Sequence, residues 1–249
     1  MLIADNLFIK GRHSALLPAT SLRAGAGELL LVQGDDQSTR TALALALSGR
    51  MRPTSGTVAW GRNDRLETLR RHAALVDSPE VNEPERHFRV RDLVAEDLAL
   101  IPRRSRPRTD ASARLAAEGI GNLAPLWIEE LEPAVRLDLL VRLALADFAV
   151  ELLVFDSPDR HLADPETWLP ILTDSVSSSS RLVTAVAVVA QIPSVWAGAA
   201  ARAGTTDSHS PGDDGSGNVG SNDGGSGNDA AGNRETGTET GTETREVSA

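Results

Sequence analysis

Gly34-Asp35-Asp36-Gln37-Ser38-Thr39-Arg40-Thr41 is the stretch whose reading decides the fold. It follows an apolar run at residues 28–32 and precedes an alanine- and leucine-rich run at residues 42–47. Strand, eight-residue turn and helix form the layout of a phosphate-cradling P-loop, G-x-x-x-x-G-K-[ST]. The frame is present, but the side chains have changed. Gly34 is the first glycine, Thr39 stands at the second, Arg40 at the lysine, and Thr41 keeps the final hydroxyl. Lys10 is the only lysine in the chain, so no neighbouring lysine can substitute.

Such a turn grips phosphate through backbone N–H groups and the helix N-terminus behind them. Gly34, Asp35, Asp36, Gln37, Ser38, Thr39, Arg40, Thr41 and Ala42 are therefore the candidate nucleotide-binding residues. A Cβ at Gln37 or Thr39 makes a positive φ cost about 1–2 kcal/mol. Arg40 keeps a cation, but its planar fork does not replace an ammonium freely. Asp35 and Asp36 bring carboxylates towards an anionic ligand. Each repels a unit charge at about 6 Å by roughly 3 kcal/mol at an effective dielectric constant near 20. Three readings stay open: a structural turn without nucleotide, a turn that binds nucleotide without useful turnover, and a hydrolytic site.

The chain has 249 residues, 41% of them hydrophobic, and no cysteine. That is enough apolar surface for one packed domain or two small ones. Disulfides, thiolate metal sites and thiol nucleophiles are excluded. The longest apolar run, at residues 183–190, is far shorter than the ~20 residues that span a bilayer. With no visible signal at the N-terminus, a cytoplasmic protein is expected. The formal net charge is −10, and residues 204–249 hold nine acids against two arginines. That tail of Gly, Ser, Asn, Asp, Thr and Glu is expected to be disordered, because it cannot bury enough surface to offset its ordering entropy. The remaining body is nearly balanced, which argues against nucleic acid as a partner. The basic cluster Arg103-Arg104-Ser105-Arg106-Pro107-Arg108 is expected to be a solvated loop.

Apolar strands alternate with helical patterns along the body. Strands are expected at residues 2–9, 28–32, 57–60, 73–76, 152–155 and 182–189. Helices are expected at 41–49, 89–100, 110–118, 133–148 and 165–179. The fold class is therefore α/β: a P-loop NTPase-like, mostly parallel sheet flanked by helices. Ligands in such sheets bind at the carboxyl ends of strands, where Gly34 and Asp156 both lie. Leu152-Leu153-Val154-Phe155-Asp156 fits a strand that ends in a magnesium-facing aspartate, with Thr41 as the second candidate metal contact. The reading of Asp156 as a plain strand-end carboxylate also stays open. Ser157 follows where a carboxylate could polarise water. Ser157 with His161 offers no recognisable oxyanion hole, so nucleophilic catalysis is set aside.

Several segments in order resemble the ATP-binding cassette of ABC transporters. Residues 16–22 and 26–28 resemble the approach to the P-loop. Leu47-Ser48-Gly49-Arg50-Met51-Arg52-Pro53-Thr54-Ser55-Gly56-Thr57-Val58 resembles the family's "LaGl..PtsG.v" segment. Residues 90–100 resemble its "tVrenLal", residues 141–146 its "lAraLa", and residues 152–158 its "lLllDEP". The resemblance covers about residues 2–195. It implies a nucleotide-binding domain over residues 1–203 with a helical subdomain at about 88–148. It also implies ATP and Mg²⁺ as cofactors, a membrane permease or a second cassette subunit as partner, and a cytoplasmic location at the inner face of the membrane.

Departures from the family pattern are systematic. Only His13 offers a ring where the adenine-stacking aromatic falls. Asp77-Ser78 stands at the Q-loop glutamine, and Leu131-Glu132-Pro133-Ala134-Val135 at the signature. Ser157 replaces the catalytic glutamate, and Gln191 the switch histidine. The resemblance makes Asp156, Ser157 and Gln191 the candidate catalytic positions. It implies a cassette that binds ATP weakly or not at all and hydrolyses it poorly. The alternative is a non-catalytic scaffold that keeps the fold.

Overall fold

The computed structural model describes residues 1–162, 164–177 and 181–206. The expected tail lies outside the described residues from 207 onward.

The chain begins with β1 (Leu2–Lys10), β2 (Ala15–Ala24) and β3 (Leu29–Gln33), followed by α1 (Gln37–Leu47), β4 (Ser55–Trp60), α2 (Leu66–His72) and β5 (Ala73–Val76). Three helices, α3 (Val90–Leu100), α4 (Ala111–Ala117) and α5 (Pro133–Ala144), separate β5 from β6 (Leu152–Asp156). Then come α6 (Pro165–Ser177), β7 (Thr184–Val189) and β8 (Ala200–Arg202). A three-stranded antiparallel sheet has the order β2-β1-β4, and a five-stranded sheet the order β5-β6-β7-β3-β8. Every pairing in the larger sheet is parallel.

The parallel strands are apolar throughout because both of their faces are covered. Alternate residues divide between two cores. Leu31, Leu153, Phe155, Ala185 and Ala187 face one core with residues of α3, α5 and α6. Leu30, Val32, Val154, Val186 and Val188 face the other, with α1 and the antiparallel sheet. Register aligns the carboxyl ends. Asp156 sits opposite Val188, Gln33 opposite Val189, and Val76 opposite Phe155. The segments that follow β3, β5 and β6 therefore emerge together at one rim, as the carboxyl-end rule predicts.

Two helix boundaries differ from expectation by a full turn. α1 begins at Gln37 rather than 41, taking half of the P-loop turn into the helix. None of residues 34–41 has a positive φ. Helical geometry removes the backbone cost expected at Gln37 and Thr39. α5 ends at Ala144, and residues 145–148 turn away. Elsewhere glycine is required: Gly56 has φ +78°, and a Cβ there would come within 2.1 Å of the Asn6 carbonyl oxygen.

Candidate functional site

Arg40, on the first turn of α1, folds back over its own turn. Its Nη1 donates to the carbonyl oxygens of Gly34 (2.8 Å) and Asp35 (2.7 Å). Its Nη2 donates to Gln37 Oε1 at 2.9 Å, and its Nε to Ser157 Oγ at 3.0 Å. A Cβ at Gly34 would lie 2.8 Å from the Arg40 Cγ, so the side chain covers that glycine directly. The guanidinium is thus held entirely by protein oxygens, two of them the turn's own carbonyls.

Asp156 is 1% exposed at the tip of β6. Burying a carboxylate this deeply is costly unless it accepts several hydrogen bonds. It accepts from Thr41 Oγ1 (2.7 Å) and Ser78 Oγ (2.7 Å) on Oδ2, and from Gln37 Nε2 (3.2 Å) on Oδ1. Ser157 Oγ lies 3.0 Å from Asp156 Oδ1 and 3.1 Å from Gln37 Oε1, so its single proton has two acceptors within reach. Gln37 Nε2 also donates to Thr41 Oγ1 at 3.0 Å. Gln37 is the hub: its amide joins Arg40, Thr41, Asp156 and Ser157. Ser157 takes the left-handed conformation, φ +55°, which turns its hydroxyl back towards the network.

Of the predicted site residues, Gln37, Arg40, Thr41, Asp156 and Ser157 come together, with Gly34 and Asp35 lending carbonyls. Asp35 also pairs with Arg202 of β8 at 3.0 Å. Asp36 precedes α1 without a side-chain capping bond, and Ser38 is exposed. Thr39 Oγ1 donates to the Leu16 carbonyl (3.0 Å), and Ala42 is buried in the core. Gln191 stands apart. It lines a separate cavity of about 370 Å³ with Asp159, Asp164, Glu166 and Trp168.

A second cluster, unforeseen from sequence beyond the position of Asp77, adjoins the first. Asp77, at φ +55° and with its side chain 9% exposed, binds Arg136 of α5 and Arg160 of the turn after β6. Arg160 lies 3.0 Å from its carboxylate, and both arginines also face Glu83 at 3.3–3.5 Å. Arg160 Nε donates to His161 Nε2 at 2.8 Å. Burial, then the Arg160 and Arg136 charges, hold the His161 pKa below its usual value against the pull of Asp77 and Glu83. The cluster ties the N-terminal turn of α5 to the segments that follow β5 and β6.

A P-loop turn after β3, with an aspartate at the tip of β6 two strands away in the same parallel sheet, defines the class of P-loop α/β proteins. No family model matches the chain. The cytochrome c biogenesis ATP-binding export protein CcmA of Novosphingobium aromaticivorans is 30% identical over 148 residues, covering 55% of this chain and 74% of that protein. A nucleotide-free ATP-binding cassette from an ABC transporter superposes with a TM-score of 0.60 at 15% identity, over 76% of this chain and 81% of that one. A putative ABC transporter ATP-binding protein from Pyrococcus furiosus gives 0.55 at 16% identity, over 81% and 96%. The chain belongs to the ATP-binding cassette family of ABC transporters. Among the described residues no helix is long and apolar enough to cross a membrane.

Proposed function

We propose that this protein is a cassette subunit of an ABC transporter whose own P-loop is closed by Arg40, so that it binds ATP weakly or not at all and does not turn it over. The observation that carries this reading is the fold-back of Arg40 onto the Gly34 and Asp35 carbonyls and onto Ser157. Phosphate oxygens would have to displace the guanidinium from four protein acceptors. Mg²⁺ does not fit this donor set either. The Thr41 hydroxyl is spent on Asp156, and the Asp156 oxygens already meet donors from Gln37, Thr41, Ser78 and Ser157. Ser157 is no general base for an attacking water, and Gln191 makes no hydrogen bond to the network among the described residues.

In this reading residues 1–203 are the cassette, residues 88–148 its helical insertion and residues 204–249 an appended tail. The partner is a membrane permease, a second cassette, or both, and the protein works at the inner membrane face. The Asp77 cluster favours a scaffold role, because it holds α5 against the core without nucleotide. Phosphate release from saturating Mg-ATP tests the reading. The purified chain is expected to stay at background. A turnover of about 1 s⁻¹ or faster, the low end of ordinary enzymes, overturns it.

A further inference from the structure

The arginine-rich segment is a loop of turns and bends that is pinned from within. Ser105 is 8% exposed, and its N–H donates to the Pro102 carbonyl at 2.9 Å. Arg106 turns inward, donating to the carbonyls of Ile101 (2.9 Å) and Ala99. The Phe148 N–H donates to the Ser105 carbonyl at 3.3 Å, fastening the segment after α5 to this loop. With Arg106 and Ser105 used internally, Arg103, Arg104 and Arg108 are exposed. None of the three has an ion-pair or hydrogen-bond partner among the described residues.

Two large apolar side chains flank them. Leu100 is 76% exposed and Phe148 is 60% exposed. Arg181 lies over the Phe148 ring at 5.6 Å and donates to the Asp147 and Leu145 carbonyls, which holds that ring in place. Glu96, a turn before Leu100 on α3, is exposed, while three other acids nearby are turned to local donors or inward. Asp110 accepts from the Ala113 N–H, Asp147 accepts from the Ala149 N–H, and Asp97 lies inside the cavity below Leu100 and Ile101.

Free arginines beside exposed apolar side chains suit an interface that offers phosphates over hydrocarbon. With a body near neutrality and a formal charge of −10 overall, the attraction must be local. Screening over about 10 Å at ordinary ionic strength permits that. We propose that residues 102–109, with Leu100 and Phe148 at their sides, form a contact surface for the anionic phospholipid face of a membrane. The arginines engage headgroup phosphates while the two apolar side chains dip into the headgroup boundary. This contact needs neither nucleotide nor permease, so it stands apart from the reading of the P-loop.

Co-sedimentation of the full chain with vesicles tests it, using phosphatidylcholine alone and phosphatidylcholine mixed with phosphatidylglycerol. Each arginine near such a surface contributes roughly fivefold to partitioning, so three contribute about 100-fold. The expected result is strong, salt-sensitive preference for the mixed vesicles. The triple variant Arg103→Ser/Arg104→Ser/Arg108→Ser should lose about 100-fold with an unchanged circular dichroism spectrum. Phe148→Ser should lose several-fold more. Equal partitioning onto both vesicles, an undiminished triple variant, or tighter binding to a DNA duplex than to the mixed vesicles would overturn the proposal.

Discussion

Replacing Arg40 by alanine removes the charged side chain that, together with Gln37, joins the P-loop turn to the turn after β6. Four hydrogen bonds disappear, to Gly34, Asp35, Gln37 and Ser157. A hydrogen bond to a charged group contributes about 1.5–3 kcal/mol where water is excluded. Arg40 is only half-buried and Asp35 is exposed, so water re-enters and satisfies the freed carbonyls. A net value of about 0.5–1 kcal/mol per bond is therefore appropriate, or about 2–4 kcal/mol in all. For a chain of this size each kcal/mol shifts the melting temperature by about 2–4 °C, so Arg40→Ala should lower it by roughly 5–15 °C. Differential scanning calorimetry reads this directly. Hydrogen exchange should locate the loosening at residues 34–36 and 157. A melting temperature within about 1 °C of the parent would refute the reasoning, because the guanidinium would then be making no net contribution.

Arg40→Lys should lose less stability than Arg40→Ala and gain no steady-state ATPase, since Ser157 and the altered signature remain; turnover at about 1 s⁻¹ or above would contradict this. Asp77→Asn keeps a residue type that tolerates the left-handed conformation but strips the charge between Arg136 and Arg160. Breaking a buried pair costs about 3–5 kcal/mol, and Glu83 offsets part of that, so urea unfolding should show a loss of about 2–4 kcal/mol. Burial, and then the Glu96 charge, raise the Asp97 pKa to about 6. The stability linked to this raised pKa is fully present below the unfolded value near 4 and lost as pH rises through about 6. Asp97→Asn should therefore be more stable than the parent at pH 7.5, with the gap closing below about pH 5; a pH-independent difference in unfolding free energy would count against it. His161 has the opposite slope, because its folded pKa is depressed. Its contribution is lost as pH falls below the unfolded value near 6.5, and His161→Gln should remove that loss in an unfolding-versus-pH series.

β3, β6 and β7 were legible in the sequence because strands covered on both faces carry uninterrupted apolar runs. β2 carries no clear strand signal, since Pro18, Thr20 and Ser21 break its pattern, and β8 is only three residues long. α2 is seven residues of mostly charged and polar character. α1 starts earlier than the P-loop template implies, because that template expects an open turn and residues 37–39 carry no glycine that would keep it open. In the site, Arg40, Thr41, Asp156 and Ser157 were visible as positions. The bridging amide of Gln37 was not, because its partners lie 119 and 120 residues away. Arg136 and Arg160 were equally hidden, reaching Asp77 across 59 and 83 residues. No local pattern encodes contacts at such separations.

Calorimetric titration of the purified full chain with ATP, with and without Mg²⁺, tests the central claim most directly. If Arg40 closes the P-loop and Asp156 is satisfied by protein donors, millimolar ATP should give no saturable heat and Mg²⁺ should change nothing. Saturable binding that Mg²⁺ strengthens would mean that the turn opens and that Thr41 and Asp156 still serve a metal, and the closed-site account would fall.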